Sequence, residues 1–137
     1  MTSDNGNINS LWLYCRDSFD DDTVNLDQLI DSNIEKINIL AGRQEDFQMP
    51  PLMALLVSKK TAARKLMVAK RLLDRGAYVN CLDESGQNAL AYMIKRYPWA
   101  TEEQQKIIEL LQSYGAVLVK GHSSDFFLDL LMEKDEH

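Results

Sequence analysis

The sequence has few of the residues that most often carry recognisable chemistry. Its 137 residues include two cysteines, two histidines, three prolines and six glycines. Cys15 and Cys81 lie far apart and form no C-x-x-C pair, so we expect two buried thiols in a reducing compartment and no disulfide. His122 and His137 have no cysteine, histidine or acidic neighbour at metal-ligand spacing, so no metal site is predicted.

Long apolar runs are also missing from the sequence. No run reaches the length of about 18 apolar residues that a membrane span needs, and residues 1–10 are polar, so neither a span nor a secretory signal is predicted. We therefore expect a cytoplasmic protein, of the source cell or of a host cell, that has no membrane partner. The length favours a single domain, because one domain usually takes roughly 100 to 200 residues.

No motif of catalysis or cofactor binding is found. The glycines at 76, 86, 115 and 121 are explained by turns, and none belongs to a phosphate-binding loop. The aspartates at 17 and 20–22 lack the central glycine and closing glutamate of a calcium loop, so we interpret them as a solvated loop. No set of residues supplies a nucleophile, a base and a stabilising group together. These observations predict a protein that is not an enzyme and uses no cofactor.

A helix exit recurs along the chain. The chain has Leu-Leu at 72–73 followed by Gly-Ala at 76–77, and the same pattern recurs as Leu-Leu at 110–111 followed by Gly-Ala at 115–116. The two glycines are 39 positions apart (115 minus 76). Glycine suits the position just past a helix, where the backbone takes a positive φ. Residues 48–52 also align with residues 86–90 at an offset of 38. A period between about 20 and 50 residues predicts a repeat architecture.

The recurring unit resembles the ankyrin repeat, whose pattern runs D-x-x-G-x-T-P-L-H-x-A and ends in L-L-x-x-G-A-D-V-N. Matching residues are Asp83, Gly86 and Leu90 in the first part and Leu73, Gly76, Ala77, Val79 and Asn80 in the second. The sequence departs from the pattern where Pro50 and Asn88 replace Thr, Ala89 replaces Pro, and Met53 and Ala91 replace His. The resemblance implies hairpins of helices held by packing more than by the usual Thr and His hydrogen bonds.

This resemblance implies an all-α fold, an ankyrin-like solenoid of about three repeats in one domain over residues 1–137. The parts are a degenerate repeat at 8–46, repeats at 47–83 and 84–119, and a C-terminal helix at 123–134. That helix either caps the apolar flank of the last repeat or docks into a groove of a partner. Interhelical loops at 58–64 and 97–102 are longer than the family's usual loops.

Local signals place several helix ends. Ser10 is expected to cap a helix at 11–15, and a partner helix is expected at 23–31 with Asn33 at positive φ past its end. The prolines at 50 and 51 suit a helix start, and Thr101 with Gln104 forms a capping-box pattern.

Charge is divided unevenly along the chain. Residues 1–46 hold 10 acidic and 3 basic residues (net −7), residues 47–120 hold 6 and 11 (net +5), and residues 121–137 hold 5 and 1 (net −4). A possible basic patch on the loop and outer helix of the second repeat comprises Lys59, Lys60, Arg64, Lys65 and Arg71. These cations either decorate a solvated face or meet an acidic partner. Nucleic acid is not expected, because the acidic ends would repel phosphate.

The resemblance implies that the protein binds another protein through its concave face and hairpin tips, at 43–46 and 82–85. Exposed aromatic residues are favoured among contact residues, since they are common hot spots, although Trp99 could instead fold back onto its own helices. The predicted partner-binding residues are Met53, Tyr78, Leu82, Glu84, Tyr92, Lys95, Tyr97 and Trp99. As nothing else is visible in the chain, binding itself is the expected output, in an inhibitor, immunity or effector-type protein that is a monomer or weak dimer. The alternative is an adaptor that bridges two partners by its groove and basic outer helix.

Overall fold

The computed structural model describes residues 8–17, 24–42 and 48–118, and this part of the chain is helical, with no strand longer than an isolated bridge between Ala41 and Met49. Six α-helices occur in it. They are α1 (Ser10–Arg16), α2 (Leu26–Ser32), α3 (Pro51–Val57), α4 (Ala62–Asp74), α5 (Ala89–Arg96) and α6 (Glu102–Ser113). The all-α prediction is confirmed. The predicted hairpin tip at 43–46, the helix at 123–134 and both histidines lie outside the described residues.

The helices form two layers. In one layer α1 packs on α3 and α3 on α5, and in the other α4 packs on α6. Within each pair, α1 contacts α2, α3 contacts α4 and α5 contacts α6. The outer helices α2 and α4 are joined by two ion pairs, Arg71 with Asp27 and Arg75 with Asp31. Helices α4 and α6, which precede the two glycine exits, lie side by side.

The core lies between these layers. Its fully buried large side chains include Trp12, Leu55, Leu56, Leu72, Met93, Ile107 and Leu111. The indole of Trp12 donates a hydrogen bond from Nε1 to the carbonyl of Met49 at 3.1 Å, so its polar atom is satisfied inside the core. No helix in the described part is long and apolar enough to cross a membrane.

The glycine exits of α4 and α6 have the same geometry. Gly76 and Gly115 have φ of 106° and 92°. After α4, the Ala77 amide donates to the Leu72 carbonyl and the Gly76 amide to the Leu73 carbonyl. After α6, the amides at 116 and 115 donate to the carbonyls at 111 and 112. Both exits are Schellman motifs, and the prediction of glycine at positive φ is confirmed for them and for Gly86.

Two asparagines, which we call the asparagine ladder, join successive helix pairs. Asn38 donates to the Gly76 carbonyl at 3.2 Å and accepts from the Tyr78 amide at 2.7 Å. Asn80 donates to the Gly115 carbonyl at 3.1 Å and accepts from the Val117 amide at 3.0 Å. The bonded positions are again 39 residues apart (115 minus 76, and 117 minus 78). The same contact thus holds the first pair to the second and the second to the third.

The helix starts follow their caps, with two differences from prediction. Asn9, not Ser10, caps α1 by accepting from the Trp12 amide, because Ser10 is already the first helical residue. The second helix starts at Leu26 and not at 23, since Asn25 caps it by accepting from the Gln28 amide. The capping box of Thr101 and Gln104 at α6 is confirmed.

The exit of α2 also differs from prediction. Asn33 has φ of −121°, so the expected positive φ is wrong. Its side chain donates to the Leu29 carbonyl at 2.9 Å, which satisfies the helix end without a left-handed residue. The chain then continues directly into a 3-10 helix at Ile34–Lys36.

Candidate functional site

One surface of the stack concentrates aromatic and cationic side chains. It is formed by the end of α5 and the loop that follows, and we call it the α5 edge. Its members are Tyr92, Lys95, Arg96, Tyr97 and Trp99. The helix ends at Arg96 because Pro98 disfavours a helical conformation at the residue before it. The chain then turns outward, and the side chain of Trp99 is 92% exposed.

Arg96 connects the two tyrosines of the α5 edge. Its guanidinium lies over the Tyr97 ring, 5.2 Å from the ring centre, which is a cation–π contact. Its side chain also hydrogen-bonds Tyr92. Burial raises the pKa of the Tyr92 hydroxyl, with a further increase from Tyr97, and Arg96 opposes the rise. The hydroxyl therefore stays protonated near neutral pH and acts as a neutral polar group.

The predicted contact residues do not all share this surface. Tyr92, Lys95, Tyr97 and Trp99 lie together on the α5 edge, whereas Tyr78, Leu82 and Glu84 precede α5 and lie at its other end. The whole of α5, eight residues or about 12 Å at about 1.5 Å of rise per residue, separates Tyr97 and Trp99 from the residues before the helix, and Lys95 lies in its last turn. The predicted contact residues that are exposed therefore form two separate surfaces and not a single contact face.

The surface at the start of α5 has a structural function of its own. Tyr78 is 59% and Leu82 41% exposed. The Glu84 carboxylate accepts from the Gln48 amide at 2.6 Å, and the Glu84 amide donates to the Gln48 carbonyl at 2.9 Å. These bonds hold the turn at 82–87 to the strand-like segment before α3. The Glu84 side chain is thus already used to join two segments of the chain.

Met53 was predicted to face an open groove, and that prediction is wrong, because its side chain is 1% exposed. The cause is the central position of α3, which packs against α1, α4 and α5 at once. Six of its seven residues, Pro51 to Leu56, are buried. The groove at the central helix is closed, so accessible positions of this layer are found on the flanking helices, α1 and α5.

The predicted basic patch is also changed by the structure. Lys60 and Lys65 are only 5% and 6% exposed, so neither can decorate a solvated face. Lys65 donates to the Leu56 carbonyl at 2.8 Å, at the end of α3, where a cation is favoured by the helix dipole. Arg71 binds both oxygens of Asp27, at 2.9 and 3.0 Å. Lys59 remains exposed and Arg64 is partly buried.

A small cavity adjoins the α5 edge. Its volume is about 70 Å³, and it lies between the α3–α4 loop, α4, the end of α5 and α6. The lining residues are Lys60, Ala62, Lys65, Met93, Tyr97, Gln104 and Ile107. Burial lowers the pKa of the Lys65 ammonium, and nearby Arg96 lowers it further.

The cysteines agree with prediction in part. Cys15 is buried, and burial raises the pKa of its thiol to about 12. Cys81 is not fully buried, since its turn lies near the surface, and its thiol donates to the Asn38 carbonyl at 3.7 Å. In the described part of the chain, no three His, Cys, Asp or Glu side chains are grouped so that they could hold a metal ion.

Sequence reasoning did not select three exposed residues. Arg96 was not selected, although its position between Lys95 and Tyr97 would have placed it with them. The exposed Val117 stands 39 positions after Tyr78, so the repeat offset itself could have found it. Ile39, also exposed, follows the first asparagine of the ladder.

Comparison of the chain with models of protein families, with curated proteins and with solved structures gives no match in any of the three.

Proposed function

We propose that the chain is a stack of three ankyrin-like helical hairpins that binds another protein through the α5 edge. Three features support the repeat interpretation. The Schellman exits after α4 and α6 recur at an offset of 39, the asparagine ladder joins successive pairs in the same way, and inner and outer helices alternate along the chain. An array of this kind gives a rigid surface on which side chains keep their positions.

The exposure of Trp99 is the observation that carries the binding proposal. Trp, Tyr and Arg are the residue types enriched at binding hot spots, and the α5 edge presents all three within residues 92–99. A Trp side chain covers about 150 to 250 Å², so its burial in a partner would contribute roughly 4 to 6 kcal/mol before the costs of association are subtracted. An exposed Trp next to an Arg–Tyr stack is thus a suitable anchor.

The support under the α5 edge favours binding at low entropic cost. Tyr97 packs against the core, and α5 is held between α3 and α6. Asn88 caps the helix by accepting from the Ala91 amide at 3.0 Å. Because this framework is fixed before a partner arrives, little ordering free energy is lost when the complex forms.

Inhibition of the bound protein is the output that we propose, as in an inhibitor, immunity or effector-type protein. The adaptor alternative needs a second free surface on the basic outer helix. That surface has little support, since Lys60 and Lys65 are buried and Arg71 is paired with Asp27. An activity assay of the partner with and without this chain separates the two outputs, because an adaptor would leave the partner active.

The test is site-specific photo-crosslinking in the cells that produce the protein. Benzoylphenylalanine replaces Trp99 in one variant and Met67, an exposed residue of α4, in the control. The proposal predicts a discrete adduct from position 99 that is weak or missing from position 67, and mass spectrometry identifies the partner. Equal adduct patterns from both positions would refute the placement of the surface, and an adduct of two copies of this chain would identify the α5 edge as a dimer contact.

A further inference from the structure

Helix α5 is the last helix of the inner layer, α1, α3 and α5, in the described part of the chain. Its Tyr92 faces the earlier helices, since Arg16 of α1 is among the groups that oppose the rise in the pKa of the Tyr92 hydroxyl. Ile94 is two residues further on, which is about 200° around a helix of 3.6 residues per turn. Ile94 therefore lies on the opposite side of α5. We call this side, with Ala91 and Ile94, the far side of α5.

The positions of the far side are buried in α3, the preceding inner helix. At the offset of 38, Ile94 corresponds to Leu56 and Ala91 to Met53. Leu56 is 0% and Met53 1% exposed, whereas Ile94 and Ala91 are partly exposed. Helix α5 packs beside α3, and no inner helix follows α5 among the described residues. Since each unit of a stacked array buries the apolar flank of its neighbour, the difference indicates a place for one more inner helix.

Residues 127–134, which lie outside the described part of the chain, have the sequence pattern of that helix. They correspond to α5 at a further offset of 38. Positions that are buried in α5 hold apolar residues in this segment, and positions that are exposed in α5 hold charged ones. The corresponding pairs are Ala89 with Phe127, Leu90 with Leu128, Met93 with Leu131, Lys95 with Glu133, and Arg96 with Lys134.

The described chain ends close to the place that the segment would occupy. The Val117 carbonyl accepts from Asn88 at 2.7 Å, so residue 117 lies beside the start of α5. Nine residues, 118–126, connect Val117 to residue 127, and ten residues, 79–88, connect Tyr78, which stands 39 positions before Val117, to α5. Charge favours the same contact, because residues 121–137 have a net charge of −4 and residues 47–120 of +5.

We propose that residues 127–134 form a fourth inner helix, which packs on the far side of α5 as α5 packs on α3. The inference rests on the repeat interpretation of the proposed function and does not depend on a protein partner. Tyr92 lies on the opposite side of α5, so it stays accessible when the far side is covered. By correspondence with Tyr92, Leu130 is the residue that faces Ile94 across the new contact.

The experiment is NMR of the full chain with labelled isoleucine and leucine methyl groups. The expected result is a nuclear Overhauser contact between the methyl groups of Ile94 and Leu130 within one chain. A sample that mixes labelled and unlabelled chains detects contacts between copies. Contacts found only between copies would assign the far side to a second copy of the chain and overturn the proposal. A lack of any contact from Ile94 to residues 127–134 would also overturn it.

A matched pair of variants tests the orientation of the segment. Leu130→Ala removes the side chain that faces Ile94, and Asp129→Ala changes its neighbour, which corresponds to the partly exposed Ala91. We expect the Ile94 methyl resonance to move at least three times as far in Leu130→Ala as in Asp129→Ala, and equal movements would contradict the proposed register. Missing contacts together with a discrete adduct from position 99 would refute this inference alone. Contacts without that adduct would refute only the partner surface.

Discussion

The side chain of Asn88 holds three segments of the chain together. Its Oδ1 accepts from the Ala91 amide and caps α5. Its Nδ2 donates to Asn80 Oδ1 at 3.1 Å and to the Val117 carbonyl at 2.7 Å. The Asn88 side chain is fully buried, and its three bonds are partly shielded from water. Asn88 thus forms a polar network that joins the start of α5 to Asn80 and Val117.

Replacing Asn88 with alanine is predicted to lower the free energy of unfolding by about 2 to 4 kcal/mol. Loss of an N-cap costs about 1 kcal/mol, and loss of the donor to the Val117 carbonyl, together with one of the two donors to Asn80 Oδ1, costs about 1 to 3 kcal/mol more. The matched control is Asn25→Ala, which removes the exposed N-cap of α2 and should cost about 1 kcal/mol or less. Urea unfolding followed by circular dichroism measures both, and equal losses would contradict the role of the Asn88 network.

The two thiols are predicted to react at very different rates with a thiol reagent at pH 8. Cys15 is buried, with its pKa raised to about 12 by burial, so its thiolate is scarce and shielded. Cys81 is partly accessible, although burial also raises its pKa. Absorbance with Ellman's reagent should show one faster thiol in the wild type and none in Cys81→Ser until denaturant is added. A fast thiol in Cys81→Ser would show that Cys15 is accessible.

At the scale of elements, the sequence was informative where a local rule decides the structure. Glycine exits, the prolines at the start of α3 and the Thr101 capping box depend on neighbours within a few residues, and each was predicted correctly. Burial of Met53 and Lys65 could not be predicted, because it depends on helices that are distant in sequence. The α5 edge was half predicted, since its aromatic residues are visible but their separation from Tyr78 follows from where α5 begins and ends.

The effect of replacing Gly76, at the exit of α4, on the free energy of unfolding is predicted to depend on backbone conformation alone. A Cβ at Gly76 would meet no atom within 4 Å, yet its φ is 106°. Gly76→Ala should therefore lower the free energy of unfolding by about 1 to 2 kcal/mol, the cost of left-handed backbone in a residue with a Cβ. Gly76→Asn should lose less, because Asn tolerates positive φ better. Thermal or urea unfolding of both variants checks this order, and an alanine variant as stable as wild type would contradict it.

In the whole molecule, the central helix pair, α3 and α4, determines which surfaces remain accessible to solvent. Helix α3 is covered by α1, α4 and α5, whereas α5 has α3 on one side and its own partner α6 on another. Ala91 and Tyr92 on α5 are partly exposed and Lys95 is exposed, and α1 of the same layer also has partly exposed residues, Leu13, Tyr14 and Arg16. The end of α5 is thus one of the accessible parts of a layer that is closed at its centre by α3.

The central claim, that this protein binds its partner through the α5 edge, is tested most directly by affinity for the partner identified by crosslinking. Calorimetry would compare wild type, Tyr92→Ala/Trp99→Ala and the control Ile34→Ala/Met67→Ala, which removes exposed apolar side chains elsewhere. Two hot-spot losses of about 2 kcal/mol each predict a Kd at least about 100-fold weaker for the first double variant and a change below about threefold for the control. Equal Kd values for the two double variants, with circular dichroism showing both folded, would contradict the claim.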